Sequence, residues 1–282
     1  MKPLLYSLVA IAFAAVCATA QEGSFDRSLS VSGPVTLEVK TDSGGIQVRS
    51  GSGSTVRVHA YLKAEHSWFG AGDAADRIRR IEKNPPVEQN GNQIRLGFVH
   101  DRDLLRGISL RFEIETPEQS EVHARADSGG VTVEGVRGPV DAKTDSGGVH
   151  VDNVKGEVHA AADSGGIHLS NIGGAVYARV DSGGVEASDI AGSIDAQTDS
   201  GSVRLSQTRA APIRAKADSG GVSVKLAPGA GYDVSIQTDS GHISVPEMTV
   251  HSSFSAHHVE GKIRGGGPSV EIRVNSGSVS VE

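Results

Sequence analysis

The tetrapeptide Asp-Ser-Gly-Gly occurs six times in this chain, beginning at Asp42, Asp127, Asp145, Asp163, Asp181 and Asp218. Asp199-Ser-Gly-Ser, Asp239-Ser-Gly-His and Asn275-Ser-Gly-Ser are degenerate copies. Alone, the tetrapeptide belongs to the nucleophile signature of chymotrypsin-like proteases. Here Thr, Ala or Val precedes the Asp where that signature has Gly, and an active site needs one serine, not six. Cation binding is a second possible chemistry, because stacked carboxylates repel one another and invite Ca²⁺. Against it stands a structural role: an Asp that accepts a hydrogen bond from the backbone N–H two residues on, as in an Asx-turn, with Gly giving the corner its freedom. The corner reading is adopted. It assigns Asp127, Gly129, Gly130, Asp145, Gly147, Gly148, Asp163, Gly165, Gly166, Asp181, Gly183 and Gly184 to turn structure. If the alternation of the preceding residues continues, the Ser side chain points inward.

A second set of residues falls at equal spacing. His123, Asp141, His159, Tyr177 and Asp195 share one column, and His-Asp-His is a recognised metal-ligand combination. His150 and His168 pair in another column. Such columns are ordinarily solvated surface, and nothing in the sequence orients them as ligands; no metal and no cofactor is assigned. Asp141, Lys143, Arg125 and Arg179 imitate the charged sets of β-solenoid polysaccharide lyases, but loop-free repeats build no walled groove. No Walker loop, His-Glu-x-x-His, Gly-x-Ser-x-Gly or dinucleotide fingerprint occurs. No catalytic residue is assigned and the chain is read as a non-enzyme.

What must position these residues is a repeat. Copies begin at 127, 145, 163, 181 and 199, a constant spacing of 18, and later steps drift to 19 and 21 before a step of 36, or two periods. Before each Asp, apolar or small residues alternate with polar ones, as in Val140-Asp-Ala142-Lys-Thr144 and Val158-His-Ala160-Ala-Ala162. Period-2 alternation of this kind marks a half-buried strand. After the Gly pair comes a shorter strand (Val149-His-Val151, Ile167-His-Leu169), then Val154 or Ile172, then a second Gly corner at Gly156 or Gly174. Neither strand buries its apolar face alone, so the units must stack. The expected fold is all-β, a parallel β-solenoid (β-helix) with one repeat per turn, right-handed because parallel crossovers are. An antiparallel sandwich competes, but would not return the same side chain in register once every period. Ser24–Pro34 and the region after Gly265 are the expected end caps.

Residues 1–20 read as a secretory signal peptide: Lys2, an apolar run from Leu4 to Val16, and Ala18-Thr19-Ala20 as cleavage site. The run is too short to span a membrane. Cys17 raises lipidation, but Val16 is a poor residue before a lipidated Cys. Cleavage removes that cysteine and Lys2, taking the net charge from −7 to −8, which disfavours nucleic acid and anionic lipid as partners. The remainder, 21–282, is the solenoid domain, interrupted at 63–107. That insertion reads as a short helix over 73–83, capped by Asp73 and stopped by Pro85-Pro86, followed by a hairpin turning at Asn90-Gly91. It holds Trp68, Phe69, Arg77 and Arg80, a possible protruding binding element or else helix packing with a solvated basic face.

Asp-Ser-Gly-Gly-Val-x-Val followed by Val-x-Gly-x-Val-x-Ala-x-Thr resembles the bacterial putative-adhesin family of β-strand-repeat proteins, a domain of unknown function. Thr116-Pro117 leading into Val122 fits its usual start, and Gly265-Gly-Gly-Pro268 before Asn275-Ser-Gly-Ser-Val-Ser-Val281 its usual end. The resemblance spans Leu29 to Glu282 outside the insertion. It implies an exported, non-enzymatic protein of the cell envelope, periplasmic or at the surface, adhesin-like or structural, with an envelope glycan or protein as partner. Some relatives are linked to envelope-stress signalling, so a regulatory protein is the alternative, and a glycan-active β-helix enzyme the third.

Overall fold

The computed structural model describes residues 22–65, 71–99, 101–255 and 257–282. The signal peptide, Cys17, Trp68 and Phe69 lie outside these. The N-terminal elements are β1 (Glu22–Ser30), β2 (Val35–Ser43), β3 (Ile46–Gly51), β4 (Thr55–Ala64), α1 (Ala71–Lys83), β5 (Val87–Asn90), β6 (Gln93–Leu96) and β7 (Ile108–Pro117). Paired long and short strands follow: β8 (Ser120–Ser128) with β9 (Val131–Glu134), β10 (Val140–Ser146) with β11 (Val149–Asp152), and β12 (Val158–Ser164) with β13 (Ile167–Ser170). Next come β14 (Val176–Ser182) with β15 (Val185–Ile190), β16 (Ile194–Ser200) with β17 (Val203–Gln207), and β18 (Ile213–Ser219) with β19 (Val222–Lys225). The chain closes with β20 (Tyr232–Ser240), β21 (Ile243–Ser244), β22 (Met248–Phe254), β23 (His258–Ile263), β24 (Ser269–Ser276) and β25 (Val279–Val281).

The protein is mostly β, with two long, largely parallel sheets consistent with a β-solenoid. Long strands β8 to β18 occupy one sheet, short strands β9 to β19 the other. Register follows the repeat: Val140 pairs Val158 and Val122, Ala142 pairs Ala160 and Ala124, and on the second sheet Val149 pairs Ile167 and Val131. Each inward column is therefore a stack of like residues, and all of these are buried. Burying each valine or isoleucine contributes roughly 1.5–3 kcal/mol. The third inward column mixes Ala126, Ala162 and Val180 with Thr144 and Thr198. The threonines are tolerated because each Oγ1 donates to a corner carbonyl one rung back, Thr144 to Gly129 O at 2.8 Å and Thr198 to Gly183 O at 2.9 Å.

The corners differ from the Asx-turn expectation. The N–H two residues after the Asp does not return to that carboxylate but donates along the stack: Gly129 N to Ser146 O at 2.9 Å and Gly147 N to Ser164 O at 2.9 Å. The between-rung ladder takes these amides, and the carboxylates turn out to solvent. The inward expectation for Ser also fails. Ser128, Ser146, Ser164, Ser182 and Ser200 are exposed, because the bend at the Asp interrupts the alternation. They still stack in register, Ser146 on Ser164 and Ser164 on Ser182.

Both ends close by a device absent from the interior. At the N-terminal end, β7 pairs β3 in parallel, and β4 and β1 add antiparallel strands outside it. On the other sheet β6 and β5 cover β2. Helix α1 packs on β1 and β4 with Ile78 and Ile81 in the core. It is described over Ala71–Lys83, two residues earlier than the expected start at 73. Side chains of α1, β5 and the β5–β6 turn hold β1 and the residues just after it: Ser24 N donates to Glu82 Oε1 at 3.0 Å, Gln89 Nε2 to Ser30 O at 2.8 Å and Ser32 N to Asn92 Oδ1 at 2.9 Å. The segment 63–107 is thus joined to the end of the solenoid, an edge that would otherwise invite pairing.

At the other end the chain does not run in spatial order. β24 lies between β18 and β20, paired in parallel with both, and β25 lies between β19 and β21. The double step before the last copy therefore does not carry it two rungs outward, and the region after Gly265 is not the cap. Residues 248–263 form an antiparallel hairpin, β22–β23, on the outer edge of β20. A hairpin returns the chain to the strand it left, and Gly265-Gly266-Gly267-Pro268 then feeds the last rung inward.

Candidate functional site: the outward face of the long-strand sheet

Alternation along each long strand sends two residues outward ahead of the corner Asp, and stacking turns these into parallel columns. In spatial order the first column reads Glu38, His123, Asp141, His159, Tyr177, Asp195, Arg214 and Glu271. The second reads Lys40, Arg125, Lys143, Ala161, Arg179, Gln197, Lys216 and Arg273. Neighbours within a column are ~4.8 Å apart. A largely cationic column, interrupted at Ala161 and Gln197, thus runs from β2 to β24 beside the corner carboxylates.

The two signs interlock. Lys40 reaches Asp42 at 3.5 Å, Arg125 reaches Asp127 at 3.6 Å and Asp145 at 3.2 Å, Arg179 reaches Asp181 at 3.7 Å, and Lys216 reaches Asp218 at 3.2 Å. Lys143 turns the other way, to Asp141 at 3.0 Å. These pairs are solvent-exposed, so each contributes only about 0–1 kcal/mol; their effect is to hold the side chains upright. Asp141 differs from the corner carboxylates. Its Oδ1 is shielded from solvent with no hydrogen-bond partner among the described residues, while its Oδ2 takes the Lys143 ammonium.

The register sets His123, Asp141 and His159 side by side, but it does not make them a ligand set. His123 Nε2 turns to Glu121 Oε1 at 2.9 Å, and His159 Nε2 turns to Glu157. Among the described residues no three of His, Cys, Asp and Glu converge on a common point. His159 instead stacks on Tyr177, ring centroids 4.6 Å apart and planes 14° apart. Tyr177 keeps 42% of its surface exposed, leaving an apolar ring edge among charges.

A shallow open trough follows these columns. One stretch, about 510 Å³, is lined by Glu38, Lys40, Phe98, His123, Arg125 and Asp141. The next, about 280 Å³, shares Asp141 and Lys143 with it and continues past His159, Ala161, Tyr177 and Arg179 to Asp195 and Gln197. At its start, the Arg95 guanidinium lies 4.0 Å over the Phe98 ring, a cation–π contact. Such a surface offers donors, acceptors and one ring edge at fixed intervals to something laid along the axis.

The other candidate residues are dispersed. Arg80 is exposed on α1, and Arg77 is half-buried with a shielded Nε; neither borders the trough. Arg95 and Phe98 join this face without any signal that placed them there, and Arg273 extends it. Arg273-Val-Asn275-Ser-Gly aligns with Lys216-Ala-Asp218-Ser-Gly and so shows the column, but only the intercalated rung makes Lys216 and Arg273 neighbours.

A profile of the Toastrack DUF4097 family matches residues 113–282, more than half of the chain. No curated protein matches it. A solved structure described as a putative adhesin from Bacteroides fragilis aligns at 12% identity and TM-score 0.49, covering 92% of this chain and 97% of that one. A putative adhesin from Parabacteroides distasonis aligns at 10% identity and TM-score 0.40, covering 92% and 97%. A putative cell adhesion protein from Clostridium sporogenes gives 10% identity and TM-score 0.28, covering 93% and 99%.

Proposed function

The chain belongs to the Toastrack DUF4097 family, and from that premise we propose that it is an exported, non-enzymatic, right-handed β-solenoid that binds a linear glycan of the bacterial cell envelope. Segment 1–20 directs it out of the cytoplasm, and the solenoid acts by display: the long-strand sheet presents a rigid surface to a ligand that is itself repetitive. The observation that carries the reading is the in-register face. Lys143, Arg179 and Lys216 stand on alternate strands, with Ala161 and Gln197 between them. That places cations ~10 Å apart, close to the length of one extended disaccharide. The small Ala161 leaves room for a ring, and Tyr177 offers an edge to pack on. Net negative charge disfavours a strongly anionic polymer, so the ligand is a glycan with few acidic groups.

The test is co-sedimentation of Gln21–Glu282 with envelope fractions and with insoluble chitin and cellulose, against an unrelated acidic protein. Saturable pelleting with one of them is expected, weakened at least tenfold by Tyr177→Ala with Lys143→Glu and Arg179→Glu. Arg204→Glu on the opposite sheet should leave pelleting unchanged. Pelleting that ignores the triple variant, or no pelleting at all, overturns the reading.

A further inference from the structure

We infer that the gap between the rung β18–β19 and the rung β20–β21 is a strand-acceptor site, filled here by the chain's own residues 269–282 and open to the same segment of a second copy. The gap exists because the chain crosses from Lys225 to Tyr232 while leaving one rung position empty between them. That position is filled by residues 269–282, which follow both flanking rungs in the chain. β24 pairs in parallel on both sides, Val270 with Ile213 and with Val234, Ile272 with Ala215 and with Ile236. β25 does the same between Val222 and Ile243 through Val279. The segment inserts Val270, Ile272, Val274, Val279 and Val281 into the core, all buried.

Three features make this rung exchangeable where the others are not. It stands out of chain order: residues 226–231 join the two flanking rungs directly, so the segment is withdrawn without parting their connection. It hangs on Gly265-Gly266-Gly267-Pro268, and Arg264, Gly265 and Gly266 adopt positive φ of 47°, 89° and 91°, a turn whose consecutive glycines can also rotate into an extended linker. Its neighbours accept it through backbone ladders and a generic apolar column, so an identical segment from another chain makes every one of the same contacts. Exchange of an identical element between protomers is a low-cost route to a dimer, and strand addition supplies its affinity through main-chain hydrogen bonds. A chain whose last rung has not yet docked exposes two inner strand edges, and the segment that fits them best is residues 269–282 of itself or of a copy.

Cysteine pairs on the outward face read this directly, because Gln21–Glu282 contains no cysteine. Lys216 and Arg273 are register partners and both outward, within the span a disulfide bridges. Gln197 is one strand further off, paired with Lys216, so it lies ~10 Å from Arg273, too far to bridge. Chains carrying Lys216→Cys and chains carrying Arg273→Cys are unfolded together, refolded under reducing conditions at rising protein concentration, and oxidised. The expected result is a covalent dimer of one chain of each kind that increases with concentration and exceeds by at least tenfold the dimer from Gln197→Cys with Arg273→Cys. The double variant Lys216→Cys/Arg273→Cys reports folding, by closing within one chain at low concentration. If the double variant closes and the mixed chains give no more dimer than the Gln197 control, exchange does not occur. If the double variant fails to close, β24 is not beside β18 in solution and the inference fails at its premise. Neither outcome touches glycan binding, which sedimentation reads on the intact face.

Discussion

A Cβ added to Gly147 would lie 2.2 Å from Gly129 O, on a residue whose φ is +150°. One at Gly148 would lie 3.4 Å from Gly166 O, without a positive φ. The two glycines of the tetrapeptide therefore do different work, and the degenerate copies agree: the second is replaced at Ser202, His242 and Ser278, whereas the first is Gly in all nine copies. Gly147→Ala is expected to cost roughly 1–3 kcal/mol from backbone strain alone, before the clash is counted. Gly148→Ser should stay within about 0.5 kcal/mol; chemical denaturation of both variants measures the contrast. At the opposite corner the left-handed position is filled by Gly135, Asn153, Asn171 and Asp189, residues that tolerate it. There Asp152 accepts hydrogen bonds from the Ser170 hydroxyl and the Asn171 amide, which hold its carboxyl below the ordinary range.

Among the elements, β20 shows how the repeat absorbs irregular spacing. It begins with Tyr232, fully buried, whose hydroxyl accepts from Ala227 N at 3.2 Å and donates to Gln207 Oε1 at 3.2 Å. Gln207 in turn donates to Gly192 O at 3.0 Å. Gln207 stands in register with the aliphatic Ile190, and Tyr232 falls where regular rungs have the corner glycines Gly156, Gly174 and Gly192; burial raises the Tyr232 pKa above its usual value. Tyr232→Phe removes a partner from each neighbour, at an expected cost of about 1–3 kcal/mol. For a domain of this size that lowers Tm by roughly 2–4 °C per kcal/mol, readable in a thermal melt. No change in Tm would mean that water replaces the hydroxyl. The repeat does not reveal this polar network, because Gln207 and Tyr232 lie 25 residues apart on different rungs.

Across the regular rungs from β8 to β15 each rung pairs only with its neighbours, so their stability is close to a sum of rung and interface contributions. Deleting residues 149–166 removes one full period and brings Gly148 onto Ile167 with every column still in register. The shortened protein is expected to fold and unfold cooperatively, with a denaturant slope reduced in proportion to the lost surface. Circular dichroism across a denaturant series checks this, and a non-cooperative or absent transition would sink it. Removing 265–282, a similar length, should instead abolish the cooperative transition, since it exposes strand edges inside the stack.

The sequence by itself determined the strands, the fixed register between them, the corners and the outward columns that make up the candidate site, because a period of two along a strand and a constant repeat between strands leave one stacking solution. Only the tertiary structure decided the rest. The direction of the corner serines depends on a bend that alternation does not encode. The caps rest on contacts between distant segments, such as Glu82 with Ser24. The placement of the last rung inside the stack arises because all rungs offer nearly the same edge: a repeat states what may pair with what, and connection lengths and hairpins choose among equivalent partners.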